Sequence, residues 1–347
     1  MRFINNLLLY VSFILKKGRI ATTPSGRVLG VLSFSFFLFF LTGCNATQTS
    51  TFEYNQMNTT QTLKESDVVT LFSSDLCVVS TDISSSELSF DEEEAAGLFD
   101  LTSKDTVFAH RVNERMDPAS MTKVMTALIA LEQGGLDQRL TCKQADYITA
   151  EGAQLLSMSA GDNMTLNQAL HFLLVFSAND VAVMIAEEIG GDVDTFVKMM
   201  NERAISLGAT NTHFANPHGL TDEEQYTTAY DMYLIFNEAM KHEIFQQIIR
   251  LPNYKTEYKR ADGTLKEVDV NSTDGYVREN SGIKAPSGIT VIGGKTGNTY
   301  AAGQCLIVLV RNAAGNPYIG IYMHAPDMQT LYNKMSQLLA LSSSSAN

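Results

Sequence analysis

The sequence has no tryptophan and few cysteines, and its histidines form no metal-binding pattern. Its 347 residues include four Cys and six His. Cys77 and Cys305 lie in apolar stretches, which predicts buried thiols. The cysteines have no paired spacing, so we expect neither a disulfide framework nor a cysteine metal cluster. No His-Glu-x-x-His or similar spacing occurs. We therefore expect no bound metal, and the sequence indicates no cofactor.

Basic residues are scarce relative to acidic ones. The chain has 25 Lys and Arg against 38 Asp and Glu, giving a formal net charge of −13 at pH 7. A surface this acidic argues against nucleic acid and anionic lipid headgroups as partners. Hydrophobic residues nevertheless make up 45% of the chain, which is enough for a sizeable core. The length is compatible with one large domain or two small ones.

The N-terminal segment, in contrast, has no acidic residue. Residues 1–43 contain five Lys and Arg and an apolar run at 28–41, and the sequence Leu-Thr-Gly-Cys ends at Cys44. This pattern is typical of a secretory signal, and its end resembles a bacterial lipobox. It implies a lipoprotein signal peptide at 1–43, a lipid on Cys44 and a mature chain of charge −18. An uncleaved membrane helix is the alternative, although the run is shorter than the ~20 residues that a span needs. Either interpretation anchors a domain outside the cytoplasmic membrane.

The rest of the chain divides into a polar tether at 44–67 and a globular domain at 68–343. Strand patterns occur near both ends of this domain, and helical periodicity occupies its middle up to about residue 250. The predicted strands are 95–101, 106–112, 254–259, 290–295, 304–311 and 317–324, and a closing helix is predicted at 328–341. This order predicts an α+β fold, in which an antiparallel sheet built from both termini is flanked by helices. An all-helical subdomain is expected to be inserted between its strands.

The stretch 117–128 is predicted to be the start of a buried helix. Asp117 is a suitable N-cap, and the proline after it occupies the first helical position. Ser120 and Lys123 are three residues apart, so they share one face at the positive end of that helix. A serine with an amine beside it is the arrangement of an acyl-transfer nucleophile that uses lysine as its base. Residues 281–284 show the same Ser-x-x-Lys spacing, so this pattern alone does not identify the nucleophile.

Two further motifs follow in the chain. Residues 177–179 read Ser-Ala-Asn at a break between two predicted helices, and residues 295–297 read Lys-Thr-Gly at the end of a predicted strand. With Ser-x-x-Lys before them, this ordered set resembles the serine D-Ala-D-Ala carboxypeptidases of the low-molecular-mass penicillin-binding proteins, peptidase family S11. The resemblance extends from about residue 95 to 323. It implies a β-lactamase/transpeptidase-like fold and removal of the terminal D-Ala from peptidoglycan stem peptides, with β-lactams as acylating inhibitors.

The resemblance implies catalytic roles for three residues. Ser120 would be the nucleophile, Lys123 its base, and Ser177 a relay that carries a proton towards the leaving amine. Lys123 can accept a proton only when it is neutral, and an exposed lysine is neutral in about one molecule in 2500 at pH 7, a deficit of about 4.6 kcal/mol. We expect burial, the helix N-terminus and the positive charge of Lys295 to lower its pKa.

The resemblance also implies a substrate-binding set. Asn179 would orient substrate and Lys123, Lys295 would attract the terminal carboxylate, and the Thr296 hydroxyl would donate beside it. Gly297 would let the substrate backbone approach the strand closely. The backbone N–H groups of Asn298 and the nucleophile would form the oxyanion hole.

Two other functions remain open at this stage. A β-lactamase shares the Ser, Lys and Lys-Thr-Gly core, but His213 stands where class A β-lactamases have the Glu that activates the deacylating water. The second alternative is an inactive wall-binding lipoprotein. His218 is interpreted as a structural turn residue. Gly294 departs from the family pattern, which commonly has an aliphatic residue before the motif lysine. Members of the family often continue into a C-terminal β-rich domain with a membrane anchor. The sequence departs from this pattern as well, since it ends soon after its last predicted helix, and we expect the lipobox to replace that anchor.

Overall fold

The computed structural model describes residues 74–86, 88–143, 148, 150 and 152–343, all within one compact unit. The signal peptide predicted at 1–43, Cys44 and the tether at 44–67 lie outside the described residues. No described helix is long and apolar enough to cross a bilayer. The elements in chain order are β1 (Ala95–Asp100), β2 (Thr106–His110), α1 (Lys123–Gln133), β3 (Arg139–Thr141), β4 (Asn163–Thr165), α2 (Leu166–His171), α3 (Asn179–Gly190), α4 (Val193–Ser206), α5 (Ala229–Ala239), α6 (Glu243–Ile249), β5 (Asn253–Lys259), β6 (Leu265–Asn271), β7 (Thr290–Thr299), β8 (Gly303–Arg311), β9 (Pro317–Ala325) and α7 (Met328–Ala340).

The main sheet has five antiparallel strands in the order β2-β1-β9-β8-β7. The N-terminal hairpin therefore pairs with the C-terminal strands, as predicted, and Ala95 lies opposite Met323. Both faces of this sheet are covered. On β8, Ile307 packs towards the inserted subdomain, while its neighbour Leu306 packs with residues of α7, as the two-residue period of a strand requires. Burial on both faces explains the nearly continuous apolar sequence of these strands.

Helix α1 is the buried centre of the subdomain between β2 and β7. Its residues from Lys123 to Ala130 are all buried, and it packs against α3 and α5. A helix that is buried on every side must satisfy each polar side chain inside the protein. Thr126 does so by donating a hydrogen bond of 2.6 Å to the Pro217 carbonyl oxygen. The start of α1 therefore places a lysine in the interior, where its charge is costly.

The predicted fold class is confirmed, and the subdomain differs from the prediction in one respect. It also contains a second antiparallel sheet, in the order β3-β4-β5-β6, and the strand predicted at 254–259 belongs to this sheet. Strands β3 and β4 have three residues each, which is too short to show a period. Strand β6 buries only Val270 and is otherwise exposed or half-buried. Its Lys, Glu and Asp residues are typical of a solvated segment, so the sequence gives little strand signal there.

The predicted buried thiols are confirmed. Cys77 and Cys305 are both fully buried and form no disulfide bond with any described residue. The Cys77 thiol donates a hydrogen bond of 3.3 Å to the Asp100 carbonyl oxygen. Within the described ranges, no group of three His, Cys, Asp or Glu side chains is arranged to hold a metal ion.

Candidate active site

A tight turn before α1 positions Ser120. The Asp117 carboxylate accepts a hydrogen bond of 2.8 Å from the Ala119 N–H. The predicted N-cap at Asp117 is nevertheless wrong, because the 3-10 turn has Pro118 as its N-cap and the α-helix begins only at Lys123. One 3-10 turn over Ala119–Thr122 then leads into the helix. Ala119 has a φ of 44°, a left-handed conformation that costs a non-glycine residue about 1–3 kcal/mol. Such strain persists only where neighbouring segments hold the backbone in place.

Two glycines allow neighbouring segments to hold this turn. A Cβ on Gly219 would lie 1.9 Å from the Ala119 carbonyl oxygen, and a Cβ on Gly297 would lie 3.0 Å from the Pro118 carbonyl oxygen. Gly219 also has a φ of 87°, a conformation that glycine adopts without strain. The loop around Gly219 and strand β7 therefore pack directly against the backbone beside Ser120.

The Lys123 ammonium is fully buried and has three acceptors. Its Nζ lies 2.9 Å from Ser120 Oγ, 2.6 Å from Asn179 Oδ1 and 2.5 Å from the His218 carbonyl oxygen, which matches the three donors of an ammonium group. Burial lowers the pKa of Lys123 well below its usual value; the positive charge of Lys295 lowers it further, and the negative charge of Asp180 opposes both. The amine next to the serine is therefore shifted towards its neutral form.

A π turn leads directly into Ser177. The single helix predicted over 166–176 is α2 followed by the π turn Phe172–Phe176, and π turns within helices are frequent at functional sites. Ser177 then takes a left-handed conformation with a φ of 67°. Its Oγ accepts a hydrogen bond of 2.9 Å from Lys295 Nζ. The two motif serines are thus each paired with a different buried lysine.

The start of helix α3, which includes part of the second motif, is hydrogen-bonded to the segment 154–158. The Asn179 N–H donates to the Gln154 carbonyl oxygen at 2.8 Å. The Asp180 carboxylate accepts hydrogen bonds from the N–H groups of Leu156 at 3.0 Å and Met158 at 3.3 Å. Sequence reasoning missed Asp180, although it directly follows the Ser-Ala-Asn motif and begins a helix.

Lys295 lies beneath the surface of the site. Its side chain is fully buried, and its Nζ donates hydrogen bonds of 2.9 Å to Ser177 Oγ and to the Thr296 carbonyl oxygen. Burial lowers the pKa of Lys295 to about 7, against the opposing effect of the negative Asp274. At neutral pH, charged and neutral Lys295 therefore coexist.

The loop before β7 contributes residues that the sequence did not indicate. Asp274 is nearly fully buried, and burial raises the pKa of its carboxyl to about 6, although the nearby positive charge of Lys295 lowers it. Thr296 Oγ1 donates a hydrogen bond of 2.6 Å to Thr273 Oγ1. Thr273 and Asp274 lie outside all three motifs, and only the folded loop brings them to the motif lysine.

Gly294, the departure from the family pattern, is explained by a close approach. A Cβ on Gly294 would lie 2.0 Å from the Ile307 carbonyl oxygen on the paired strand β8. A register shift between Val291 and Gly293 precedes this contact. The local packing of β7 onto β8 therefore leaves no room for an aliphatic side chain.

The motif residues surround one cleft with a volume of about 310 Å³. Six of the predicted site residues line it: Ser120, Ser177, Asn179, Thr296, Gly297 and Asn298. Lys123 and Lys295 lie beneath, each bonded to a lining serine. The remaining lining residues are Gly152, Ala153, Gln154, Leu220, Thr273, Arg278, Thr299, Gln304 and Met328. A larger cavity of about 590 Å³ elsewhere contains none of the predicted site residues.

The second Ser-x-x-Lys sequence forms no comparable pair. Ser281 Oγ donates to the Gly275 carbonyl oxygen at 2.5 Å and accepts from the Ile283 N–H at 3.1 Å. Lys284 is exposed, and residues 281–284 lie in a loop. This match therefore lacks both the helix and the buried amine.

His218 contributes its backbone to the site and its ring to a turn. Its carbonyl oxygen accepts a hydrogen bond from Lys123, whereas its Nδ1 accepts one of 3.1 Å from the Leu220 N–H. Burial first, and the positive charge of Lys123 second, lower the pKa of His218 to about 3. The ring is therefore neutral at physiological pH and structural, and it does not line the cleft.

Comparison with known proteins identifies the family of this chain. Residues 85–326 match the family Peptidase S11, D-alanyl-D-alanine carboxypeptidase. The carboxypeptidase DacF of Bacillus subtilis (strain 168) is 34% identical over 218 residues, which cover 62% of this chain and 53% of DacF. The D-alanyl-D-alanine carboxypeptidase of Streptomyces sp. (strain K15) is 29% identical over 226 residues, covering 62% of this chain and 75% of that protein.

A solved structure extends the similarity to the fold. The crystal structure of the Streptomyces K15 DD-transpeptidase has a TM-score of 0.65 and 25% identity, covering 71% of this chain and 95% of that one. The matched segment nevertheless spans only about half the length of DacF. On the extent of the family match, the chain belongs to peptidase family S11, the D-alanyl-D-alanine carboxypeptidases.

Proposed function

We propose that this protein is a serine-type D-Ala-D-Ala carboxypeptidase, which removes the terminal D-Ala from peptidoglycan stem peptides through an acyl-enzyme on Ser120. The observation that carries the proposal is the 2.9 Å contact between Ser120 Oγ and Nζ of the fully buried Lys123. A serine becomes a competent nucleophile when a neutral amine lies within hydrogen-bonding distance. Membership of family S11 supports the same class of reaction.

Acylation begins with transfer of the serine proton. Neutral Lys123 accepts the proton of Ser120 as Oγ attacks the carbonyl carbon of the penultimate D-Ala. The peptide C–N bond then breaks, and Ser177, which lines the same cleft, relays a proton to the leaving amine. Water later hydrolyses the ester and regenerates the serine hydroxyl. The lowered pKa of Lys123 supports this assignment, because only the neutral amine can accept the proton.

The remaining motif residues bind and orient substrate in this proposal. The N–H groups of Ser120 and Asn298 stabilise the oxyanion, and Asn179 orients Lys123 through their 2.6 Å hydrogen bond. Lys295 supplies positive potential for the terminal carboxylate, and the Thr296 hydroxyl donates to it. Gly297 lets the substrate approach β7 without obstruction by a Cβ.

β-Lactams are proposed as acylating inhibitors rather than as substrates that turn over rapidly. No described residue that lines the cleft carries a carboxylate, so no lining side chain can serve as the general base of a class A β-lactamase. His213, in the corresponding sequence position, bonds through Nδ1 to the Glu224 carbonyl oxygen and stacks on Tyr226. We therefore expect the penicilloyl ester to persist, which favours a carboxypeptidase over a β-lactamase.

Release of D-Ala tests this function directly. The purified protein is incubated with a synthetic stem pentapeptide that ends in D-Ala-D-Ala, and free D-Ala and the tetrapeptide are quantified. We expect equimolar amounts of the two products. Rapid hydrolysis of penicillin without D-Ala release would instead support a β-lactamase.

We also propose that the protein acts outside the cytoplasmic membrane as a lipoprotein. The Leu-Thr-Gly-Cys sequence at Cys44 and the apolar run before it support this proposal. After cleavage, residues 44–67 would connect the lipid to the catalytic domain. In this proposal the domain acts in the compartment that contains its substrate.

A further inference from the structure

The three oxygens around Lys123 differ in whether they can donate a hydrogen bond. Its Nζ contacts Ser120 Oγ, Asn179 Oδ1 and the His218 carbonyl oxygen. The amide and backbone oxygens only accept hydrogen bonds, whereas a serine hydroxyl both accepts and donates. A neutral amine has two N–H hydrogens and one lone pair. The two carbonyl oxygens therefore accept its two hydrogens, and the lone pair is left facing the hydroxyl of Ser120.

This arrangement decides which proton the amine accepts. Of the three partner oxygens, only Ser120 Oγ has a hydrogen to give. As Oγ bonds to the carbonyl carbon of the substrate, its proton passes to Nζ, and the resulting ammonium has three hydrogens for the same three oxygens. No partner has to move during this step, and such preorganisation lowers the barrier. The His218 carbonyl therefore has a function in the reaction, although His218 does not line the cleft.

The loop 215–221 presents two successive carbonyl oxygens to helix α1. The Pro217 carbonyl oxygen accepts a hydrogen bond of 2.6 Å from Thr126 Oγ1, and the His218 carbonyl oxygen accepts one of 2.5 Å from Lys123. Lys123 and Thr126 are three residues apart, so their side chains lie on the same face of the helix. Both are fully buried. The loop therefore packs on the face of α1 that carries the proposed base.

The Asn216 side chain holds the backbone on both sides of His218. Its Oδ1 accepts hydrogen bonds from the N–H groups of His218 at 3.3 Å and Gly219 at 2.7 Å, and its Nδ2 donates to the Leu220 carbonyl oxygen at 2.9 Å. The Gly219 N–H belongs to the same peptide unit as the His218 carbonyl. Because a peptide unit is planar, fixing this N–H also fixes the direction of the carbonyl.

The Gln225 side chain holds the start and the end of the same loop. It is buried, and its Oε1 accepts hydrogen bonds from the N–H groups of Ala215 at 3.2 Å and Asn216 at 3.3 Å. Its Nε2 donates to the Leu220 carbonyl oxygen at 3.3 Å, which also accepts from Asn216. Neither amide lines the cleft, so both act on the site only through the loop backbone.

We propose that Asn216 and Gln225 are positioning residues for the general base, which hold the His218 carbonyl oxygen against Lys123 and so direct its lone pair at Ser120. This inference rests on the proposed acyl-transfer function and deepens it. It gives two neutral amides outside the three motifs a role in the reaction. They act through the direction of hydrogen bonds, without adding charge to the site.

Asn216→Ala tests this role because it removes the three hydrogen bonds around the His218 peptide. The probe is the methyl ester of a penicillin, which has no carboxylate. At saturating probe and at the plateau of the pH profile, the acylation rate constant is expected to fall about ten- to hundredfold, as for a displacement of about 1 Å in a catalytic group. The dissociation constant of the complex before acylation should change less than about twofold.

Gln225→Ala should slow the same step. Because both amides hold one loop, the loss in the double variant should be smaller than the product of the two single losses. A melting curve for each variant shows whether it remains folded.

Asn201→Ala is the matched control. Asn201 on α4 holds Phe214, the residue directly before the loop, in a similar way: its Nδ2 donates to the Phe214 carbonyl oxygen at 2.8 Å, and its Oδ1 accepts from the Phe214 N–H at 2.8 Å. The variant therefore loses two amide–backbone hydrogen bonds next to the loop and none at the His218 peptide. Its acylation rate constant should stay within about twofold of the wild-type value.

The pH profile separates a lost carbonyl contact from a loosened site. Without the His218 carbonyl, the ammonium form of Lys123 loses one acceptor, so its pKa falls and the acid limb shifts to lower pH. Water entering a loosened site would instead raise this pKa and shift the limb to higher pH. The charged or titratable groups that face Lys123 are Lys295 on β7, Asp180 on α3 and His218 in the loop, and no substitution alters them.

Three results would overturn the proposal: an unchanged plateau in Asn216→Ala, an acid limb at higher pH, or an equal loss in Asn201→Ala. If the wild type is acylated but releases no D-Ala from the pentapeptide, the carboxypeptidase function fails, and the acylation rates still decide the positioning role. A wild type that neither the methyl ester nor the free penicillin acylates would overturn both.

Discussion

At the scale of single residues, the site contains two buried lysines with opposite requirements. Lys123 must be neutral to accept a proton, and burial with the positive charge of Lys295 lowers its pKa, while Asp180 raises it. Lys295 must be charged to attract an anion, and Asp274 opposes the effect of burial. Each lysine therefore has its own carboxylate, and these carboxylates tune the two charge states.

Two substitutions should shift the acid limb of the pH profile of the acylation rate in opposite directions. Lys295→Gln removes a positive charge that lowers the Lys123 pKa, so this pKa rises and the limb shifts to higher pH. Asp180→Asn removes a negative charge that raises the same pKa, so the limb shifts to lower pH. The acylation rate is measured as a function of pH, with the methyl ester of a penicillin as the probe. Shifts in the same direction would show that Lys123 is not the group that titrates.

Sequence reasoning at this scale identified side chains within motifs and missed groups outside them. Ser120, Lys123 and Lys295 could be predicted because their chemistry depends on side-chain type and spacing. The third acceptor of Lys123 is the His218 carbonyl oxygen, and a backbone group has no residue signature. Arg278 lies 17 positions before the Lys-Thr-Gly motif and reaches the cleft only through the fold of its loop.

At the scale of elements, the turn before α1 is shaped by the segments that pack on it. Ala119 keeps a φ of 44° because the Gly219 loop and β7 approach its backbone closely. The cost of this conformation is about 1–3 kcal/mol, which the surrounding packing offsets. The missing side chains at Gly219 and Gly297 therefore allow these segments to hold the backbone that carries Ser120.

Gly219→Ala should damage both stability and acylation. Its Cβ would lie 1.9 Å from the Ala119 carbonyl oxygen, so the turn that carries Ser120 must move. We expect a loss of about 2–4 kcal/mol in the free energy of unfolding and at least about a tenfold slower acylation. Denaturant melts and penicillin acylation kinetics measure these quantities.

Gly191→Ala is the matched control for that substitution. Gly191 has a φ of 85° and nothing within 4 Å of its Cβ position, so it shares the backbone strain without the clash. We expect a loss of about 1–2 kcal/mol in the free energy of unfolding, because an L-residue is strained at positive φ, and unchanged acylation. Equal kinetic effects of the two substitutions would argue against a specific role for the Gly219 contact.

The elements themselves were predictable where they are long and apolar. The hairpin at β1 and β2, the β8–β9 pair and α7 all follow their hydrophobic periods. The second sheet was not predictable, because β3 and β4 have three residues each and β6 buries only Val270. The π turn at Phe172–Phe176 continues the apolar pattern of α2 and differs only in hydrogen bonding.

At the scale of the whole molecule, strands from the two ends of the domain meet in one sheet. Strand β1 pairs with β9. The inserted subdomain and the edge strand β7 are therefore both connected to the same five-stranded sheet. The cleft lies where β7 meets the start of α1 and the Ser177 turn. Three motifs that are far apart in sequence converge because each ends or begins an element at this junction.

The proposed lipid anchor is tested by replacing Cys44, the residue that is predicted to carry the lipid. In Cys44→Ser cells we expect an unprocessed precursor or release of the domain, because a lipobox without its cysteine cannot be diacylated. Intact-mass spectrometry of membrane and soluble fractions measures the outcome. A Cys44→Ser protein that still has a lipid-modified mass at its N-terminus would falsify this proposal.

The identity of the nucleophile is the central claim, and penicillin labelling tests it most directly. The detergent-solubilised protein is incubated with penicillin and analysed by intact-mass spectrometry, together with Ser120→Ala and Ser281→Ala. We expect one penicilloyl adduct in the wild type and in Ser281→Ala, since Ser281 lies in a loop beside an exposed lysine. Ser120→Ala should show none. An adduct that persists in Ser120→Ala, or disappears in Ser281→Ala, would contradict the assignment of Ser120.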